Sequence, residues 1–151
     1  MSVRAVVFDL DGVLLDSRRA GAPGAVAGVD GFLATLAAHG IPCAVATTFS
    51  RLDAGRILAH LGLTDHFPIV VTADDVRRPK PDPEVYLRAA EGVGVEPGAC
   101  LVFEDAVMGV AAARTAGMRV IGVMTTYAES ELLRAGAERA IPNFEGATWP
   151  L

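Results

Sequence analysis

Val6-Val7-Phe8-Asp9-Leu10-Asp11-Gly12-Val13-Leu14-Leu15-Asp16-Ser17 decides how the rest of this chain is read. An apolar, strand-like run ends in two carboxylates two residues apart, and a glycine follows directly. Side chains alternate along a strand, so Asp9 and Asp11 share a side if the strand stays regular. Gly12 then lets the backbone turn sharply. Two such acids repel by roughly 4 kcal/mol at ~4 Å and an effective dielectric near 20. A divalent cation or a shared proton relieves that repulsion, and both belong to catalytic chemistry. The plainer alternative is a solvated turn at a strand end, where acids are common.

Outward from this stretch, apolar strand-like runs alternate with helical patterns. Strands are expected near 4–9, 43–47, 68–72, 100–104 and 119–123, with a short last one near 139–141. Helices are expected near 30–39, 51–62, 83–94, 106–116 and 129–135. Asp82-Pro83-Glu84 has the order of an N-cap, a first-turn proline and an acid at the positive helix end. Gly40, Gly117 and Gly136 stand where helices should stop. This alternation predicts an α/β fold with a parallel sheet covered by helices on both faces. Ligands then bind beyond the carboxyl ends of the strands, where strand order reverses. The 151 residues fit one domain, 1–151, with 52% hydrophobic residues and a mean hydropathy of +0.40 to fill its core. Residues 18–28, rich in Gly, Ala and Pro, have no useful periodicity and read as a short linker.

Composition narrows the function classes. A net charge of −5 offers no basic field for nucleic acid. No apolar run reaches spanning length, and Asp9 breaks the first one, so neither a membrane partner nor a signal peptide is expected. Cys43 and Cys100 lie in apolar runs and read as buried reduced thiols of a cytoplasmic protein. His39, His60 and His66 are scattered near helix ends, where solvated or capping roles suit them.

Three further sites follow the strands in order. Thr47-Thr48 ends the second main strand; its hydroxyls and amides suit an anion, although a Thr pair there is commonly a helix cap. Lys80 lies between Pro79 and Pro81, which stiffen its loop. Glu104-Asp105 ends the fourth main strand. Each alone has an ordinary structural explanation. Together they supply acids for a hard cation and donors for phosphate oxygens, the groups that phosphoryl transfer needs.

At these residues the chain resembles the haloacid dehalogenase superfamily, in the branch that holds β-phosphoglucomutase and sugar-phosphate phosphatases. Phe8-Asp9-Leu10-Asp11-Gly12-Val13 is similar to its first motif, Thr47 to its second, and Lys80 in Lys80-Pro81-Asp82-Pro83-Glu84 to its third. Phe103-Glu104-Asp105, with Gly109 and Ala116-Gly117-Met118, is similar to its fourth. The resemblance implies a three-layer Rossmann-like core and a Mg²⁺-dependent phosphatase. Asp9 would be the nucleophile that becomes an aspartyl-phosphate, and Asp11 the general acid and then base. Mg²⁺ would be held by Asp9, the main-chain carbonyl of Asp11, Asp105, and Glu104 directly or through water. Thr47, Thr48 and Lys80 would hold the phosphoryl oxygens.

The chain departs from that pattern in one large respect. The family branch usually inserts a helical cap between its first two motifs, whereas here Val29-Asp30-Gly31-Phe32 follows Asp16-Ser17 closely. Residues 18–28 resemble a remnant at the insertion point. A phosphorylated substrate, small or macromolecular, then meets an open site, and a second copy of the chain becomes a candidate cover. A mutase is disfavoured because its aspartyl-phosphate must outlast water, and a dehalogenase because that branch lacks the acid at Asp11. Pro79 stands where glycine is frequent, and Ala106 where serine is. The alternatives are a phospho-ligand or partner-binding module and a receiver-like phospho-acceptor. The latter places its acid after the third strand, where this chain has Val71-Thr72.

Overall fold

Six parallel strands form the sheet of the computed structural model, which describes residues 2–18, 21 and 23–151. In chain order the elements are β1 (Ala5–Phe8), β2 (Leu15–Asp16), β3 (Gly24–Ala25), α1 (Val29–Ala38), β4 (Cys43–Ala46) and α2 (Arg51–Leu61). They continue with β5 (Ile69–Val71), α3 (Glu84–Val93), β6 (Cys100–Glu104), α4 (Val107–Thr115), β7 (Arg119–Val123), α5 (Glu129–Ala135) and β8 (Arg139–Ile141). The strand order β5-β4-β1-β6-β7-β8 places β1 at the centre. The chain builds outward from β1 to β5, then crosses to the other side and builds from β6 to β8. The reversal therefore falls at β1, with β4 and β6 as its neighbours in parallel register.

Alternation along β1 sends Val6 and Phe8 to one face and Ala5 and Val7 to the other. The two faces differ in kind. Phe8, Phe32, Phe67, Phe103 and Phe144 are all buried on the face covered by α1 and α2, and Phe49 packs against it. Phe8 stacks on Phe103 with ring centroids 5.3 Å apart, and Phe32 meets Phe103 edge-on at 5.4 Å. The opposite face is rich in alanine: Ala44, Ala46, Ala89, Ala90, Ala112 and Ala113 lie between the sheet and α3 or α4. Small side chains let those helices lie close, while aromatic rings fill the thicker layer.

Most boundaries match the sequence expectations, and the exceptions have local causes. Strand β1 stops at Phe8, one residue early, because the carbonyl of Leu10 accepts from the amides of Val13, Leu14 and Leu15. Gly12 sits within this turn at φ +82. Asp9 and Asp11 consequently do not share a side: Asp9 is buried and Asp11 is exposed, its backbone bridging to Leu15. Thr47-Thr48 does not cap α2. Ser50 does, accepting from the amide of Asp53. Asp82 accepts from the amide of Glu84 at 3.0 Å, although the helix begins only at Glu84.

The described residues of 18–28 include half of a short ribbon. Gly24–Ala25 pairs antiparallel with Leu15–Asp16, and the Arg18 guanidinium grips Asp16 at 2.9 Å. Arg19, Ala20 and Ala22 of that expected linker lie outside the described residues. Between β1 and α1 the described residues form this ribbon and no helix. No helix among the described residues is long and apolar enough to cross a membrane. Cys43 and Cys100 are buried free thiols, pushed by burial up to about 12 and about 11. Such thiols are poor nucleophiles.

Candidate active site

The carboxyl ends of β1, β4 and β6 lie side by side, and the residues that follow them carry the polar groups. Asp9 follows β1 and is fixed by its amide bonding to the Phe103 carbonyl at 3.1 Å. Thr47 follows β4, with its amide on the Val71 carbonyl and its hydroxyl accepting from the Phe49 amide at 3.1 Å. Glu104 ends β6 and Asp105 succeeds it. One carboxylate oxygen from each of Asp9, Glu104 and Asp105 lies within 4.8 Å of the others, and all three residues are buried.

Lys80 reaches this group from the loop before α3. Its ammonium donates to Asp9 Oδ1 at 3.0 Å, Glu104 Oε2 at 2.7 Å and the Ala46 carbonyl at 3.1 Å. Its three protons are thereby matched to three acceptors. Glu104 is equally committed. Its Oε1 accepts from the amides of Asp105 and Ala106, and its Oε2 from Lys80 and the Tyr86 hydroxyl.

Two glycines make this crowding possible. A Cβ on Gly109, in the first turn of α4, would stand 2.0 Å from the Glu104 carboxylate. A Cβ on Gly12 would stand 2.1 Å from Asp105 Oδ2, besides straining the positive φ. The fourth-motif glycine is therefore a matter of room beside a buried acid.

Electrostatics at the site are uncompensated. Three carboxylates face one ammonium. Burial, followed by the Asp105 carboxyl, raises Asp9 to about 6 against the opposing pull of Lys80. Burial and then the charge of Asp9 raise Glu104 to about 6. Burial also raises Asp105, against its bonds from Asp9 and the Thr126 hydroxyl. The shared proton that the sequence allows is one metal-free solution, since burial raises both Asp9 and Asp105. A divalent cation is the other. Oxygen-only donors with excess negative charge suit a hard ion such as Mg²⁺.

A pH dependence follows. Acids raised on folding bind more protons folded than unfolded between about pH 4 and 6, so stability falls as pH rises through that window. Metal-free protein is expected to gain roughly 1–3 kcal/mol between pH 7 and pH 5, since each tenfold change in proton affinity is worth about 1.36 kcal/mol. Adding Mg²⁺ should raise the melting temperature more at pH 7.5 than at pH 5, because binding needs ionised carboxylates. Thermal melts across pH 5–8, with chelator or Mg²⁺, measure both effects. A flat profile in chelator would sink this account.

The expected site residues thus separate. Asp9, Glu104 and Asp105 converge within 4.8 Å, and Lys80 bonds the first two. Thr47, Thr48 and Lys80 line a cavity of about 260 Å³, together with Arg77 and Pro79. The Asp11 side chain lies outside the buried acidic group and is exposed. Three contacting residues fall outside the sequence expectations. Tyr86 bonds Glu104, Thr126 donates to Asp105 Oδ2 at 2.6 Å, and the Thr125 hydroxyl donates to the Gly12 carbonyl. Thr125-Thr126 comes one residue after β7, much as Thr47-Thr48 directly follows β4, and that near-repeat was the available signal.

Comparisons with known proteins agree with this geometry. The family model described as haloacid dehalogenase-like hydrolase matches residues 22–123. Protein CbbY of Rhodobacter capsulatus is 36% identical over 130 residues, covering 84% of this chain and 57% of that protein. The fructose-1-phosphate phosphatase YqaB of Escherichia coli is 48% identical over 82 residues, covering 54% of this chain and 44% of that protein. The chain spans about half the length of these curated relatives. A putative β-phosphoglucomutase from Thermotoga maritima superposes with a TM-score of 0.85 at 25% identity, over 93% of this chain and 94% of that one.

Proposed function

Because this chain belongs to the haloacid dehalogenase-like hydrolase family, we propose that it is a Mg²⁺-dependent phosphatase that cleaves a phosphate monoester through an aspartyl-phosphate on Asp9. The observation that carries this reading is the convergence of Asp9, Glu104 and Asp105 within 4.8 Å around a lysine that touches two of them.

Asp9 and Asp105 would hold the ion with the main-chain carbonyl of Asp11. Glu104, whose oxygens already accept from Lys80, Tyr86 and two amides, would reach it through water. Bound there, Mg²⁺ neutralises charge on the phosphoryl oxygens. Lys80 would donate to the same group by exchanging one of its three present acceptors, and Thr47 and the amide of Thr48 would donate from the β4 end.

In the first step an Asp9 carboxylate oxygen bonds to phosphorus in line with the ester oxygen, whose bond breaks. The leaving alkoxide takes the proton of the Asp11 carboxyl and departs as the alcohol. In the second step water attacks the same phosphorus and gives a proton to Asp11. The Asp9–phosphorus bond breaks, and inorganic phosphate leaves. The exposed position of Asp11 fits a group that must meet both the leaving alcohol and water.

Among the described residues only the β2–β3 ribbon lies between β1 and α1, and a site left open there would admit a bulky phosphorylated compound. The name of the Escherichia coli relative points to sugar phosphates as the first physiological candidates.

Hydrolysis of an aryl phosphate, with Mg²⁺ and with chelator, tests the proposal. Metal-dependent phosphate release and a hydroxylamine-labile phosphoprotein in acid-quenched samples are expected. A folded protein that releases no phosphate with Mg²⁺ present overturns it.

A further inference from the structure

Tyr86 is wholly buried in the second residue layer behind the site. It lies in the first turn of α3, six residues after Lys80, on the alanine-rich face of the sheet. Its hydroxyl donates to Glu104 Oε2, the same oxygen that accepts from Lys80. The face of its ring also lies 5.0 Å from the Lys80 ammonium. One side chain therefore contacts both members of the buried ion pair. Burial, then the charge of Glu104, holds the phenol well above its ordinary value, so it stays a donor.

Lys80 stands between two acids, Asp9 at 3.0 Å and Glu104 at 2.7 Å. Its position depends on how strongly each one pulls. A donor on Glu104 Oε2 weakens that pull by sharing the oxygen's charge, and the ring supports the ammonium from a second direction. We propose that Tyr86 is a positioning residue that holds the Lys80 ammonium towards Asp9 by sharing Glu104 Oε2 and by underlying the ammonium with its ring. This rests on the phosphatase reading for its consequence, since Lys80 there faces the transferring phosphoryl group.

Without the hydroxyl, Glu104 claims Lys80 more strongly and draws it away from Asp9. An ammonium close to Asp9 matters most as charge spreads over the phosphoryl oxygens, so the cost falls on turnover. Tyr86→Phe removes the hydroxyl and keeps the ring; Tyr86→Leu removes both.

The test uses full-length wild type and both variants, with kcat and KM for an aryl phosphate under saturating Mg²⁺, and crystal structures of wild type and Tyr86→Phe. Tyr86→Phe is expected to lower kcat about tenfold with KM nearly unchanged, the size that one hydrogen bond to a charged group represents. Tyr86→Leu is expected to lower it further. In the Tyr86→Phe crystal the ammonium should lie farther from Asp9 than in wild type. An unmoved ammonium with wild-type kcat, or a lowered melting temperature with kcat intact, overturns the proposal. If wild type itself shows no turnover, the phosphatase reading falls, while the position of Lys80 in the crystals still decides the role of Tyr86.

Discussion

Asp9→Asn is expected to abolish turnover while leaving the metal-free protein as stable as wild type or more so. The amide cannot attack phosphorus, and loss of a nucleophile costs at least about 10⁴-fold in kcat. Stability moves the other way for a reason visible in the site. Asp9 is raised from 3.8 to about 6, so near neutrality its ionised form is held against burial and a neighbouring acid. A neutral amide removes that cost and keeps an acceptor for Lys80. After allowing for the weakened ion pair, a net gain of about 1–2 kcal/mol at pH 7 is expected, or roughly 2–8 °C in Tm for a domain of this size. Stabilisation by Mg²⁺ should largely disappear, because one of its carboxylates is gone. Melting curves at pH 7 with chelator and with Mg²⁺, beside kinetics, read all three effects. A large loss of stability in metal-free Asp9→Asn would mean that the acid is structural. The contrast is the mark of a reacting group kept at a cost to the fold.

Lys80→Ala should fail on both counts. The ammonium is buried and satisfies two carboxylates and a carbonyl. Removing it leaves Asp9 and Glu104 unpaired in the interior, a situation that costs about 3–5 kcal/mol. That corresponds to roughly 10 °C or more in Tm. Turnover should fall about 10³-fold when a donor to the phosphoryl oxygens is removed. The sign of the pH effect is fixed by chemistry. Without the lysine the two acids rise further, so the deficit is greatest at neutral pH and shrinks towards pH 5 as they become protonated. Denaturant unfolding at pH 5 and pH 7.5 separates this from a simple packing defect, which would cost the same at both. Equal deficits at the two pH values would refute the ion-pair explanation.

What the sequence made legible was whatever a strand end declares locally. The six sheet strands could be read as short apolar runs, four of them (β1, β4, β5 and β6) closed by an acid or a threonine, and β1, β4 and β6 were placed within a residue of their observed limits. Asp9, Thr47, Glu104 and Asp105 could be singled out for the same reason. The side assigned to Asp11 could not be read, because it depends on three amides converging on one carbonyl at Leu10. Tyr86 was hidden inside a helical pattern that equally describes a core aromatic. Thr125 bonds Gly12 across 113 residues of chain, and no local window registers such an interaction. Whatever required two distant segments to meet was illegible until the sheet order was known.

The central place of β1 has a consequence for synthesis. On one side β1 pairs with β4, which follows soon after it; on the other, Ala5 pairs with Cys100. A chain emerging from its amino end therefore holds β1 with one open edge until β6 appears. Until then, that edge is a template for wrong partners. Closing it joins residues from opposite halves of the chain, a slow kind of pairing. The same event brings Glu104 and Asp105 beside Asp9, so the open edge of the central strand and the acidic group of the site are completed together.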